Sequence, residues 1–313
     1  MKLKFDREAS SHADPFVFED GGKYYMYPSG LSEDSDGVRA YSADDPFGEW
    51  HYEGVVASFN GAKNYWAPSV IKYGEKYYMY VSCEKAGAFQ FMHVAEADSP
   101  LGPFTNEKML YGEFSIDSHV VLTDSGLFLF YAKNKYKPDY EGERIGTRIF
   151  VDRLLDPYTP EGMPVEKVVP SFDEEIFTPQ YTEDNRWHTI EGAFWFSEGD
   201  YQYLMYSGGC YQDDTYHVGY AVAKSGESDL RKVEFTKVTN GDKFNPVIIK
   251  NSFEEGTGHH SVIKYKGRYY AFYHGRDIKE DLDEGYVERR TARVCGLTVK
   301  DGMIIADMKE NTL

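Results

Sequence analysis

One pattern recurs five times along the 313 residues: a glycine-containing turn followed by a strand dense in aromatic side chains. The copies are Gly22–Tyr27, Gly74–Tyr80, Gly126–Tyr131, Gly199–Tyr206 and Gly267–Tyr273, and each ends on a tyrosine. A second short apolar strand precedes every copy: Pro15–Phe18, Ser69–Lys72, His119–Leu122, Ala193–Phe196 and Ser261–Lys264. Strand, tight glycine turn and strand make a β-hairpin. Further strands follow at Val38–Ser42, Met92–Glu96, Arg148–Asp152 and Val218–Val222, and the first two run into similar turns at Asp44–Gly48 and Asp98–Phe104. Units of ~40–50 residues with about four strands each have the period of propeller blades. Five such units use up the chain, so the sequence predicts an all-β, five-bladed β-propeller filling residues 1–313 as one unit. No stretch carries the apolar stripe of a helical or α/β protein. A sandwich of unrelated hairpins accounts for the strand pairs but not for their recurrence.

Composition agrees with a strand-rich chain. Aromatic residues make up 16%, with 27 Tyr and 20 Phe, and such side chains suit a pleated surface. Against 34 Lys and Arg stand 52 Asp and Glu, a net charge of −18. That balance repels phosphate backbones and anionic lipid, so neither nucleic acid nor a membrane surface is an expected partner. A neutral, hydroxyl-rich ligand meets no such objection. No apolar run is long enough for a transmembrane helix, and Met1–Glu8 has no secretory apolar stretch. Cys83, Cys210 and Cys295 are scattered and odd in number, which argues against a disulfide framework or a zinc site. The expected location is a reducing cytoplasm. Part of the proline-rich stretch Lys133–Trp187, which includes Asp173-Glu174-Glu175, is predicted to form a long loop over one face. Asp277–Glu284 reads as a solvated loop before the final strand.

In a propeller the first strand of each blade lines the central channel, and the entrance ends share a pocket. Thirteen to fifteen residues before the last tyrosine of each hairpin stand Asp14, Ala67 with its neighbour Trp66, Asp117, Glu191 and His259. Three of these positions are carboxylates leading apolar strands, where an unpaired charge is costly to bury. Asp and Glu facing each other across a concave pocket are the equipment of glycoside hydrolysis: one activates water, the other protonates the leaving oxygen. A third carboxylate raises the pKa of the acid and keeps it protonated.

At these residues the sequence resembles glycoside hydrolase family 43, five-bladed propeller enzymes acting on arabinose- and xylose-containing glycans. The resemblance rests on His12–Pro15, Tyr65–Val70, Ser115–Val120, Ile190–Ala193 and Gly258–Val262. Arg290, Val294, Leu297 and Asp301-Gly302 look like the family's closing strand. It implies an inverting exo-glycosidase that releases terminal α-L-arabinofuranose or β-D-xylose from plant-derived oligosaccharides. Asp14 would be the general base and Glu191 the general acid, with Asp117 holding that acid and raising its pKa. Trp66 would give the sugar ring a flat wall, and Arg290 would face the sugar pocket. In many members a histidine at the place of His259 binds calcium in the channel, directly or through water. A structural calcium ion is thus implied, and no organic cofactor.

Where the family usually has Asp-Pro, this chain has Asp117-Ser118-His119, and His119 is expected to point into the sugar pocket. Trp187, in Asn185–His188, is either a subsite platform or a loop anchor. Three rivals remain. Related propeller enzymes acting on fructosides or mannosides are one, but the fructoside group is expected to open on Asn-Asp-Pro-Asn and to carry Arg-Asp-Pro, both absent here. A sugar-binding propeller without catalysis should have lost a carboxylate, and all three are present. A protein-interaction propeller should show repeated motifs at its blade tips rather than convergent carboxylates. The sequence leaves the oligomeric state open.

Overall fold

The protein is seen in a computed structural model that describes residues 1–7, 11–30, 37–178, 182, 186–278 and 289–308. Asn185 and most of the acidic stretch Asp277–Glu284 lie outside the described residues. Five sheets follow one another along the chain. Blade one holds β1 (Lys4–Phe5), β2 (Phe16–Asp20), β3 (Lys23–Tyr27), β4 (Val38–Ala43) and β5 (Glu49–Ala57). Blade two holds β6 (Ala62–Tyr73), β7 (Lys76–Lys85), β8 (Ala88–Ala97) and β9 (Thr105–Phe114). Blade three holds β10 (Ile116–Thr123), β11 (Gly126–Lys135), β12 (Gly146–Asp156), β13 (Thr159–Pro160) and β14 (Val165–Val168). Blade four holds β15 (Ile190–Glu198), β16 (Tyr201–Gly208), β17 (His217–Lys224) and β18 (Thr236–Lys237). Blade five holds β19 (Glu254–Tyr265), β20 (Arg268–Asp277), β21 (Thr291–Lys300) and β22 (Met303–Asp307). Within each blade, strands consecutive from the channel outwards pair antiparallel.

The innermost strands β2, β6, β10, β15 and β19 touch in a closed circle, β19 returning to β2. This is the five-bladed propeller that the repeat predicts. The stretch Lys133–Trp187 divides: β12 to β14 complete blade three, and residues 136–145 before them form a loop. The chain start clasps the ring. Leu3 N–H donates to Ala292 O at 3.0 Å on blade five, while β1 pairs with β5 of blade one. Among the described residues, no helix is long and apolar enough to cross a membrane.

Each strand turns alternate side chains to opposite faces, and here both faces meet another blade. On β7, Tyr77, Met79, Val81 and Cys83 pack with Val38, Ala40 and Val56 of blade one. Tyr78 and Tyr80, from the other face, pack with Val120, Leu129 and Tyr131 of blade three. Five such cores fill the five gaps between blades. Burial on both faces explains why the repeat reads as a run of aromatics and not as alternation with polar residues. The last tyrosines have a further use. Tyr27 Oη–H donates to Pro100 O at 2.7 Å in blade two, and Tyr80 Oη–H donates to Pro157 O at 2.8 Å in blade three. Both rings are buried. Tyr27→Phe and Tyr80→Phe should therefore each lower stability by about 1 kcal/mol, read as a shift in the midpoint of guanidinium unfolding at unchanged slope.

Candidate active site

At the channel end of the inner strands the ladder slips. Register shifts fall at Trp66/Ser69, Ile116/His119, Glu191/Phe194 and Gly258/His260. The backbone there turns left-handed, with φ of 42° at Ala67, 61° at Asp117, 59° at Gly192 and 42° at His259, and Asp14 beside β2 has φ 54°. Four of the five carry a side chain, for which this conformation costs roughly 1–2 kcal/mol each. Bulges of this kind re-aim side chains beside active sites. Asp14, Ala67, Asp117 and His259 line a small cavity on the axis. Trp66, Ile116 and Glu191, each one residue earlier, line the larger pocket above it. This register explains the offset of Glu191: the blade-four counterpart of Asp14 and Asp117 is Gly192.

The pocket has a volume of about 130 Å³, and its remaining walls include Tyr211, His259 and Arg290. Asp14 is the hub. Its Oδ1 lies 3.3 Å from His259 Nδ1, 3.2 Å from His274 Nδ1 and 3.4 Å from Arg290 Nη1. Ser29 Oγ–H donates to Oδ2 and itself accepts the Ala67 N–H at 2.8 Å. Burial alone would push the Asp14 carboxyl up, but the His259 ring and the Arg290 guanidinium outweigh it and hold the group well below the usual range. The other two carboxyls go the opposite way. Burial, reinforced by the negative charge of Asp14, pushes Asp117 up to about 8. Burial, reinforced by Asp117, pushes Glu191 up to about 8. Asp117 Oδ2 accepts the Gly192 N–H at 2.9 Å, which ties blade three to the bulge beside Glu191. The surroundings thus favour the ionised form of Asp14 and the protonated forms of Asp117 and Glu191.

A model of glycosyl hydrolases family 43 matches residues 9–304. The chain belongs to that family. A xylosidase/arabinosidase from Bacteroides ovatus is 28% identical, over 94% of both chains, and xylosidase/arabinosidase 43A from Humicola insolens is 26% identical, over 95% of this chain and 97% of that one. The fold of a thermostable family-43 glycoside hydrolase superposes with a TM-score of 0.79 at 24% identity, covering 96% of this chain and 94% of that one. This family-43 protein is a glycoside hydrolase of the arabinofuranosidase/xylosidase type.

Tyr211, Tyr216, His274 and Ser207 also reach the site, and none of them belongs to the motifs read from the sequence. Tyr216, before β17, is buried and donates its hydroxyl hydrogen to Glu191 Oε1 at 2.7 Å. Its ring stacks on His274, centroids 5.4 Å apart and planes within 6°. Gly258 leaves room for it, since a Cβ there would meet Tyr216 Cε1 at 2.2 Å. Tyr211 lies under the Arg290 guanidinium, 4.5 Å from Cζ to ring centre. A signal existed for some of these: one residue past the repeat tyrosines stand Pro28, Val81, Ala132, Ser207 and His274. The two polar ones are both at the site, Ser207 Oγ accepting the His259 N–H at 2.8 Å. Tyr211 and Tyr216 sit outside any repeat.

Of the neighbouring arginines, Arg290 alone faces the pocket; Arg289 is exposed and Arg293 pairs with Glu254 and Asp277. His119 corrects the expectation for it. It does not reach the sugar pocket. Its Nε2–H donates to Trp195 O at 3.1 Å, its ring stacks on Phe194 at 4.0 Å, and it lines the axial cavity below. Ser118 takes part in that turn by bonding Ser69 Oγ at 2.8 Å across the blade gap.

The calcium ion implied at His259 finds no cage. Calcium takes six to eight oxygen ligands. The axial cavity is about 10 Å³, the room of roughly one water. His259 Nδ1 is turned to Asp14 and, at 3.8 Å, to Asp117. The unpartnered atoms there are the nitrogens His119 Nδ1 and both of His260, a donor set that suits water. Among the described residues, no group of three or more His, Cys, Asp or Glu is arranged for a metal. The residues present do not fit calcium.

A raised carboxyl weakens the fold as pH rises. The unfolded chain releases the Glu191 proton near the ordinary value of 4.5, whereas the folded chain keeps it to about 8. Its contribution to stability is full below 4.5 and is lost between those limits. Glu191→Gln removes this loss and leaves an acceptor for Tyr216. Its melting temperature should exceed the parent's at pH 7.5, by an amount that shrinks to nothing below about pH 4.5.

Proposed function

We propose that this protein is an inverting exo-hydrolase that removes terminal α-L-arabinofuranose or β-D-xylose from short oligosaccharides. The observation that carries the reading is that three carboxyls from three blades line one pocket, Asp14 held by His259, His274 and Arg290, Glu191 by the Tyr216 hydroxyl and Asp117 by the Gly192 N–H. Their surroundings favour the ionised form of Asp14 and the protonated forms of Glu191 and Asp117. Asp14 has the charge a general base needs, and Glu191 has the proton a general acid needs. In the proposed step Asp14 takes a proton from water while the water oxygen bonds to the anomeric carbon. The glycosidic C–O bond breaks on the opposite face, and the Glu191 proton passes to the leaving oxygen. One displacement inverts the anomeric centre. Asp117 accepts the Gly192 N–H and so holds the backbone beside the acid in place, while burial keeps the acid's pKa high. Trp66 offers the sugar an aromatic wall, and Arg290 both steadies Asp14 and reaches the sugar's hydroxyls. Sugar identity is supported by the names of the relatives, xylosidase/arabinosidase in two organisms. A reducing, cytoplasmic setting is supported by Cys83, Cys210 and Cys295, all buried as free thiols.

The full chain, incubated with nitrophenyl α-L-arabinofuranoside and β-D-xyloside, should release nitrophenol from at least one. Proton NMR of the first product should show the inverted anomer; a retained anomer overturns the mechanism. Asp14→Asn should lose about 10²–10⁴-fold on every substrate. Glu191→Ala should lose most activity on a natural disaccharide and much less on a dinitrophenyl glycoside, whose leaving group needs no proton. Equal losses on both substrates for Glu191→Ala, with the activated one spared in the Asp14 variant, would mean the roles are reversed.

The pH profile follows from the same groups. Activity needs Asp14 ionised and Glu191 protonated, so kcat/KM should hold level through the weakly acidic range and fall above about 8. The Tyr216 hydroxyl favours the ionised form of Glu191. Tyr216→Phe should therefore move the alkaline limb upwards and leave the acidic limb in place.

A further inference from the structure

A groove leaves the reactive pocket on the side of Glu191. Trp66, Ile116, Glu191 and Tyr211 line both the pocket and the groove, so the two are continuous. Beyond them the groove is walled by Phe89 and Phe114 from blade two and by Tyr136 and Trp187 from the loops of blades three and four. Trp66 meets Phe89 edge to face at 5.6 Å, and Phe89 stacks on Phe114 at 6.2 Å. Tyr136 and Trp187 form a second pair at 5.5 Å. Trp187 is buried and anchors its loop, while Phe89 and Tyr136 are 53% and 67% exposed. The polar members are Asn134, Thr147, Thr189 and Gln212, all uncharged. Glu191 is the one Asp, Glu, Lys or Arg among the described lining residues, in a chain that is 27% charged.

We propose that this groove binds the leaving-group arm of a neutral glycan, at least two sugar units beyond the bond that is cut. The inference rests on the hydrolase reading, because Glu191 marks the leaving-group side only if it is the acid. Aromatic faces match the C–H faces of sugar rings, and side-chain amides and hydroxyls match their hydroxyl groups. Among the described lining residues a charged partner finds no Lys or Arg and no carboxyl but Glu191, and a neutral glycan needs no counter-ion. The count of two follows from position. Trp66, Ile116 and Tyr211 stand at the junction, where the first unit past the scissile oxygen lies. Phe89, Phe114 and Tyr136, the last backed by Trp187, stand farther out, in contact with the next.

The test is calorimetric titration of the full chain carrying Asp14→Asn, so that nothing is cleaved, with xylobiose, xylotetraose, arabinobiose and arabinotetraose. In one of the two series the tetrasaccharide should bind about tenfold more tightly than the disaccharide. Phe89→Ala and Tyr136→Ala should each remove most of that difference; both side chains are exposed, so their loss leaves the blades intact. Tyr140→Ala, equally exposed at 67% and outside the groove, should keep it. Equal or undetectable binding of di- and tetrasaccharide in both series overturns the proposal, and so does a difference that survives both substitutions. Nitrophenol release by the unsubstituted chain is read separately. Release without the length difference removes the groove and keeps the hydrolase, whereas the length difference without release removes the hydrolase reading and keeps a glycan-binding groove.

Discussion

Asp14 carries a negative charge where water scarcely reaches, and the rest of the site is arranged around that charge. An isolated buried carboxylate would take up a proton instead of staying ionised. Here Arg290, His259, His274 and Ser29 converge on its two oxygens. Once that charge is fixed, the other carboxyls have no room for another. Asp117 and Glu191 keep their protons because burial disfavours the charged form and the neighbouring charge adds to the penalty. The division of labour between acid and base therefore follows from environment, since a Glu and an Asp differ little in water.

This arrangement needs the ring to be closed. Asp14 comes from blade one, Trp66 from blade two, Asp117 from blade three, Glu191 from blade four, and His259 and Arg290 from blade five. Hydrogen bonds across the gaps hold these heads together. Ser69 meets Ser118, Asp117 accepts from Gly192, Ser207 accepts from His259, and Ser261 donates to Pro15 O. The left-handed turns of Asp14, Ala67, Asp117 and His259 at the heads of four inner strands are unfavourable one by one. They persist because the neighbouring blades fix both ends of each bulge, a common state of affairs at functional sites. The stability lost there is offset in the five interblade cores, where both faces of the strands are buried.

Much of this was legible in the sequence. The repeat of glycine turn and aromatic strand specified five hairpins, because a glycine turn and a run of Tyr and Phe have few other local solutions. Reading the same register in each unit brings Asp14, Trp66, Asp117, Glu191 and His259 to one end of the fold, the family resemblance adds Arg290, and one pocket is lined by all six. His119 was misplaced because neighbouring residues around a bulge point in different directions, and sequence spacing does not say which residue takes the left-handed turn.

What the sequence determined by itself was local and periodic: strand, turn, repeat and the residue types at the blade heads. Those properties depend on contacts a few residues apart. The tertiary structure alone decided which carboxyl is charged, that Tyr216 reaches Glu191 and stacks on His274, and that an uncharged aromatic groove opens beside the acid. Each of these depends on distances of a few ångströms between residues far apart in the chain. Tyr216 and Glu191 are 25 positions apart, and Arg290 and Asp14 are 276 apart. Burial and Coulomb interactions act through space, so they took effect only when the ring closed.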